Sequence, residues 1–191
     1  MNKALFLDRD GVLDELVYYA DTGSTDAPRH PADVRLRPRV REALKTAAEN
    51  GWLIFVVSNQ PDAAKRKTTR VALDAVHQRL LKELDGAPIQ EFFYCYHRSE
   101  DGCLCRKPQP FFVLEAAKKH DIDLAQSWFV GDFDTDIECG RRAGCRTALV
   151  EYPQSESKRG AGRADLIVRD LDHLVQSLID PKSKHGTQSP D

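Results

Sequence analysis

Short apolar runs alternate with longer segments of helical period along this chain, and several of the runs break off at a cluster of polar residues. Leu5-Phe6-Leu7 reads as a short, fully buried strand, and it stops abruptly at Asp8-Arg9-Asp10-Gly11. Trp52 to Val57, Glu91 to Tyr96, Ser127 to Val130, Thr147 to Val150 and Leu166 to Val168 read as further strands. Between them lie five segments of helical period. Residues 39–50 place Val40, Leu44, Ala47 and Ala48 on one face, with Gly51 just beyond the end. Residues 68–84 carry Val71, Ala75, Val76, Leu80, Leu81 and Leu84, with Thr68 or Thr69 as the N-cap. Residues 111–120, 135–143 and 171–179 follow the same pattern. Strands that alternate with helices predict β-α-β units, hence an α/β fold around a central parallel sheet. One segment does not fit a simple connection. Residues 14–38 are polar and punctuated by Gly23, Pro28, Pro31 and Pro38, which predicts a loop lying over one edge of the sheet.

The length bounds the organisation. At 191 residues the chain suits one domain, expected over 1–180, and the polar stretch 181–191 is expected to be a disordered tail. No internal repeat is present. A composition of 41% hydrophobic and 30% charged residues is ordinary for a water-soluble protein, and the net charge of -2 offers no concentrated basic surface for nucleic acid or membrane. The expected partner is therefore a small molecule, for a chain expected to act as a monomer. No apolar run is long enough to span a bilayer, and the first residues lack the pattern of a signal peptide, so a cytoplasmic location is expected.

The candidate chemistry sits where predicted strands end. Asp8 and Asp10, then Ser58-Asn59-Gln60, Arg106-Lys107, and Asp132 with Asp136 stand at or just past those ends. In an open α/β sheet the carboxyl edge is where ligands bind, so groups distant in sequence converge there. Two carboxylates as close as Asp8 and Asp10 repel unless a divalent cation or a proton is shared between them. Three acids, a hydroxyl and a lysine form a coherent set for phosphoryl transfer: a nucleophile, oxygen ligands for Mg²⁺, and groups that balance the charge of the transferring phosphate. Each cluster alone has a blander reading. Asp-x-Asp after a strand is often a turn or a helix cap, Lys107 before a proline can be a solvated loop lysine, and Asp134 reads as an N-cap or a solvated acid. His30, His77, His120 and His173 have no partner at ligand spacing and read as surface residues.

The five cysteines are Cys95, Cys103, Cys105, Cys139 and Cys145. An odd number in a reducing compartment argues against a disulfide framework, and three of them crowd together with His97. Cys95, His97, Cys103 and Cys105 make a Cys₃His set, the closed four-coordinate geometry of structural Zn²⁺, which would staple the loop carrying Arg106 and Lys107. Cys139 and Cys145 read as small buried hydrophobes.

Taken together, Asp8-Arg9-Asp10-Gly11-Val12, Ser58-Asn59, Lys107-Pro108 and Gly131-Asp132-Phe133-Asp134-Thr135-Asp136 resemble the four motifs of the haloacid dehalogenase (HAD) superfamily of phosphatases, in order and spacing. Cys95-x-His97 with Cys103-x-Cys105-Arg106-Lys107-Pro108 is similar to the subgroup of D-glycero-D-manno-heptose-1,7-bisphosphate 7-phosphatases and histidinol-phosphate phosphatases. The resemblance implies a Rossmann-like three-layer sandwich with no large cap domain and a zinc-stapled loop. It implies Asp8 as the nucleophile that forms an aspartyl-phosphate and Asp10 as the general acid and base. It places Mg²⁺ on the Asp8 carboxylate, the Asp10 main-chain carbonyl and Asp132. Ser58 and Lys107 would bind phosphoryl oxygens, while Asn59, Gln60 and Arg106 would serve the substrate, and Asp136 would orient Lys107 or the outer shell of the metal. The implied reaction is hydrolysis of a small phosphomonoester. A sugar phosphate such as heptose 1,7-bisphosphate, losing its 7-phosphate, leads; histidinol phosphate is the rival within the enzyme class. A zinc-stabilised binding module with silent acids is the rival outside it. The chain departs from the family pattern in three places: a longer segment over 16–34, Pro61-Asp62-Ala63-Ala64-Lys65-Arg66-Lys67 where the family has a Ser-Gly-x-x-Arg-Gly type of sequence, and a short loop between His97 and Cys103. Those segments would touch the leaving group.

Overall fold

A computed structural model describes residues 1–159 and 163–180. The expectation of a disordered tail over 181–191 falls outside the described residues. Six parallel strands form the central sheet: β1 (Lys3–Leu7), β4 (Trp52–Asn59), β5 (Glu91–Cys95), β6 (Trp128–Gly131), β7 (Arg146–Val150) and β8 (Leu166–Val168). Their order across the sheet is β5-β4-β1-β6-β7-β8. The chain thus winds outward from β1 in one direction and then from β6 in the other. Such a reversal opens a crevice between β1 and β6 at the carboxyl edge.

Helices cover both faces, which is why the strands read as continuous apolar runs rather than as alternations. Leu5, Leu7, Ile54, Val56 and Val130 pack on one face with α1 (Val40–Glu49), α2 (Arg70–Leu84) and α5 (Leu171–Ile179). Ala4, Phe6, Phe55, Val57 and Phe129 pack on the other with α3 (Phe111–His120) and α4 (Asp134–Ala143). Phe6 stacks between Phe55 at 5.4 Å and Phe129 at 6.5 Å. Of the two candidate caps, Thr69 caps α2, its side chain accepting from the Ala72 N–H at 3.1 Å. The buried face of α2 is Leu73, Val76, Leu80 and Leu84, while Val71 and Leu81 from the predicted stripe are exposed. An apolar residue beside a half-covered helix is left in water, which periodicity alone does not reveal.

The segment expected as a loop over 14–38 contains a small antiparallel hairpin, β2 (Val17–Tyr19) with β3 (Ser24–Asp26), and a single 3₁₀ turn, Pro31–Asp33. Two three-residue strands carry too little alternation to register as strands. Among the described residues the hairpin and the 3₁₀ turn are the only regular elements between β1 and α1, and no large cap domain stands over the edge of the sheet. Asp134 is the first residue of α4, not its cap. The cap position belongs to Phe133, whose N–H donates to Asp136 Oδ2 at 3.0 Å. Among the described residues no helix is long and apolar enough to cross a membrane.

Candidate active site

Asp8 and Asp132 follow β1 and β6 directly and so face each other across the crevice. The Asp8 N–H donates to the Val130 carbonyl at 2.8 Å, extending the ladder by one residue and fixing where the carboxylate leaves the strand. Gly11 turns the chain back at φ 83, and a Cβ there would lie 2.3 Å from Asp132 Oδ2, so the backbone needs glycine for both conformation and space. Arg37 donates to the Gly11 carbonyl and lies over the Tyr152 ring at 4.3 Å, bracing this turn from below.

Lys107 is the electrostatic centre. Its Nζ lies 2.8 Å from Asp8 Oδ1, 2.8 Å from Asp136 Oδ1 and 2.8 Å from the Val57 carbonyl. Burial opposes the charge of this ammonium, but Asp136 and Asp8 outweigh it, and the Lys107 pKa rises. The loop that delivers it is pinned by Asn59, whose Oδ1 accepts from the Lys107 N–H at 3.0 Å and whose Nδ2 donates to the Lys107 carbonyl at 3.2 Å.

Asp8, Asp132 and Asp136 present carboxylate oxygens within 4.8 Å of one another. Asp132 is fully buried, and neither of its oxygens meets a hydrogen-bond donor among the described residues. Burial first, then Asp136 and Asp8, push its pKa up to about 8, and burial pushes Asp136 up to about 6. One lysine cannot balance three acids so placed. A divalent, oxygen-seeking cation fits this donor set, since it supplies the missing charge and the missing partner for Asp132.

Asp10 is held differently. Its Oδ1 accepts from Arg9 Nε at 2.9 Å and Nη2 at 2.6 Å, and its Oδ2 accepts from Gln60 Nε2 at 2.5 Å and Ser58 Oγ at 3.4 Å. Arg9, which sequence reasoning passed over, is 1% exposed and also donates to Gln60 Oε1 at 2.9 Å. Asp14 was missed as well. It is fully buried 3.8 Å from Arg9 Nε, and burial and Asp10 raise its pKa well above the usual carboxylate range.

These groups open onto a cleft of about 220 Å³. Asp8, Asp10, Asn59, Arg106, Lys107 and Asp136 form its floor and one wall, and Leu16, Asp26, Asp62 and Lys65 form its mouth. Ser58 and Gln60 do not line it. The mouth is clamped by Arg29, which is 4% exposed and joins Asp26 at 2.9 Å to Asp62 at 3.3 Å while lying over the Tyr19 ring at 3.8 Å. The hairpin and the 61–67 segment are thereby tied into one wall.

The Cys₃His residues also converge. Cys95 Sγ lies 3.6 Å from His97 Nδ1, 3.6 Å from Cys103 Sγ and 3.3 Å from Cys105 Sγ, and Cys105 Sγ lies 3.4 Å from His97 Nδ1. A tetrahedral Zn²⁺ with bonds of about 2.3 Å to sulfur sets its ligand atoms about 3.8 Å apart, so the cluster fits the ion with little adjustment. Burial pushes the Cys95 thiol up to about 12, and a bound cation is what would take its proton off. Arg106 Nη1 donates to the His97 carbonyl at 3.1 Å, linking this loop to the cleft. Cys139 and Cys145 lie apart from it, free and buried in apolar surroundings that push both thiols up to about 12. His77, read from sequence as a surface residue, is half-buried instead and pairs with the Tyr94 hydroxyl at 3.0 Å. His120 is likewise engaged, its Nε2 lying 2.8 Å from Glu91 Oε1.

Comparison with known proteins agrees with this architecture. The HAD-hydrolase-like family model matches residues 104–174. The chain is 32% identical over 182 residues to the D-glycero-beta-D-manno-heptose-1,7-bisphosphate 7-phosphatase of Pseudomonas putida, covering 93% of this chain and 99% of that protein. It is 33% identical to the enzyme of the same name from Pseudomonas aeruginosa, covering 92% and 97%. Among solved structures, the D,D-heptose 1,7-bisphosphate phosphatase of B. bronchiseptica, complexed with magnesium and phosphate, superposes with a TM-score of 0.77 at 26% identity, covering 93% and 98%. The chain therefore belongs to the HAD-like hydrolases, in the branch that holds these heptose-bisphosphate phosphatases.

Proposed function

We propose that the protein is a Mg²⁺-dependent phosphatase that hydrolyses a small phosphomonoester through an aspartyl-phosphate on Asp8. The observation that carries this is Lys107 Nζ standing 2.8 Å from both Asp8 and Asp136, beside a fully buried Asp132 whose oxygens lie within 4.8 Å of theirs. Mg²⁺ would be held by the Asp8 carboxylate, the Asp10 main-chain carbonyl and Asp132; when bound, it supplies positive charge against the phosphoryl oxygens and lets the anionic ester approach an anionic nucleophile.

The chain's own residues then divide the work. Lys107 orients the Asp8 carboxylate and offsets charge on the phosphoryl group, with Asp136 holding the ammonium in place. Asp8 attacks phosphorus; the bond from phosphorus to the leaving oxygen breaks, and that oxygen takes its electron pair and a proton from Asp10. Water then attacks the aspartyl-phosphate while Asp10 takes a proton back, and the carboxylate of Asp8 is released with inorganic phosphate. Ser58 Oγ rests on Asp10 Oδ2 at 3.4 Å outside the cleft lining, and a bound ester would have to draw it inward before it meets a phosphoryl oxygen. Arg106 and Lys65 both line the same cleft and offer cations to a second phosphate.

A phosphorylated sugar is the proposed substrate class, with D-glycero-D-manno-heptose 1,7-bisphosphate losing its 7-phosphate as the leading case. The names of the relatives and the paired cations Lys65 and Arg106 support it. Zn²⁺ on Cys95, His97, Cys103 and Cys105 is proposed as a structural ion, and the free cysteines fit a reducing cytoplasm. The test is phosphate release from heptose bisphosphate, other sugar phosphates, histidinol phosphate and an aryl phosphate, with and without Mg²⁺. Release that requires Mg²⁺, favours the bisphosphate and drops by at least about 10³-fold in Asp8→Asn is the expected result. No release from any ester would sink the reading, and preference for histidinol phosphate would replace its substrate.

A further inference from the structure

Asp10 has four hydrogen-bond contacts, and three of them come from two side chains that do not line the cleft. Arg9 grips Oδ1 twice, Gln60 reaches Oδ2 at 2.5 Å, and Arg9 Nη2 closes the ring on Gln60 Oε1 at 2.9 Å. Both are buried, Arg9 at 1% and Gln60 at 2% exposure, and neither is among the residues that face the cleft, whereas Asp10 is. Adjacent residues ordinarily point apart. Arg9 bends back onto its neighbour, with its guanidinium 5.6 Å from the Tyr94 ring and its Nε 3.8 Å from Asp14.

We propose that Arg9 and Gln60 are positioning residues for Asp10, a role that rests on the phosphatase reading above and adds to it. Arg9 locks Oδ1 and so fixes the plane of the carboxyl group. Oδ2 is left to the Gln60 amide and the Ser58 hydroxyl. When the ester's leaving oxygen separates from phosphorus and takes the proton of Asp10, the carboxylate that remains keeps the Arg9 fork on Oδ1 and the Gln60 amide on Oδ2. The pair thus holds the group on both sides of the transfer, and Gln60 makes the product of the transfer more stable. Gln60 acts here through Asp10 rather than by touching the substrate.

The role has a kinetic fingerprint. Proton donation matters for an alkyl phosphate, whose alkoxide leaves poorly, and matters little for para-nitrophenyl phosphate, whose leaving group departs without a proton. kcat/KM covers only the steps up to departure of the leaving group, so the later activation of water drops out of the comparison. Gln60→Met keeps length and bulk and deletes both hydrogen-bonding groups. With Mg²⁺ present, its loss of kcat/KM on propyl phosphate is expected to exceed its loss on para-nitrophenyl phosphate by about tenfold or more. Its inhibition by inorganic phosphate should stay as in wild type. Arg9→Lys, which keeps the charge and loses the fork, should show the same selective loss and serves if Gln60→Met fails to fold. Equal losses on the two esters would overturn the proposal, as would no loss at all. So would weakened phosphate inhibition, which would assign Gln60 to substrate binding. A wild type inert on both esters would instead overturn the phosphatase reading beneath it.

Discussion

Lys107 does two jobs that pull on the same three bonds. It serves phosphoryl transfer, and it is the cation that permits Asp8 and Asp136 to be buried as anions. Lys107→Met therefore leaves buried carboxylates uncompensated, and we expect a loss of about 3 to 5 kcal/mol in urea unfolding at neutral pH, along with a fall in turnover of at least about 10²-fold. A variant that unfolds like wild type would show that the acids find another partner. His77 gives a prediction of opposite character. Burial first, then the charge of Arg9, lowers its pKa from the usual 6.5, so the unfolded chain takes up a proton that the folded protein resists. The contribution of His77 to stability is thus present above the unfolded pKa and lost as pH falls through it toward the folded value. Relative to wild type, His77→Gln should lose less stability between pH 7.5 and 5.5, read from thermal midpoints; parallel pH curves would refute the assignment. Asp8 and Asp132 were legible because each breaks an apolar run, Asp10 because it stands two residues past Asp8, and Lys107 because it adjoins the cysteine pair. Arg9, Asp14 and His77 were not, because charged residues are exposed by default; Arg9 and Asp14 are buried against each other beside Asp10, and His77 meets Tyr94 from β5.

The regular helices and buried strands could be read because burial on one face leaves a period in the sequence. The β2–β3 hairpin could not, since its strands are three residues long and neither carries a fully buried residue. What fixes it is a tertiary clamp. Arg29 bridges Asp26 on the hairpin and Asp62 on the 61–67 segment, and Lys67 adds a second contact to Asp26 at 2.7 Å. Two of the segments in which this chain departs from the family pattern are thereby joined to each other. Arg29→Met should release them together, at a cost of about 2 to 3 kcal/mol in local opening because Asp26 keeps Lys67 while Asp62 loses its cation. Amide hydrogen exchange is the measurement. Residues 17–29 and 61–67 are expected to exchange faster while β1 and β4 keep their protection. Acceleration spread evenly over the sheet would mean that the clamp belongs to the global fold.

The whole sheet has one consequence that no single residue carries. Parallel pairing was implied by strand-helix alternation, but the order β5-β4-β1-β6-β7-β8 depends on contacts between distant segments and has no local pattern to read. That order puts β1 and β6 side by side, so Asp8 and Asp132 meet only when the central strands have paired. Ligands of the assembled edge therefore bind the native state alone and stabilise the molecule by mass action. A phosphate mimic that adds to the Asp8 carboxylate, such as beryllofluoride with Mg²⁺, should stabilise the protein by about 2.7 kcal/mol at a concentration 100 times its Kd, and the midpoint should keep rising with concentration. In Asp8→Asn the same mixture should have little effect, because the covalent acceptor is gone while Asp132 and the fold remain. The comparison separates two origins of stabilisation. A shift equal in wild type and Asp8→Asn would place the bound species away from β1. A shift in wild type that saturates at low concentration without tracking ligand would mean that the edge forms before the rest of the sheet, contrary to a site assembled only when β1 and β6 pair.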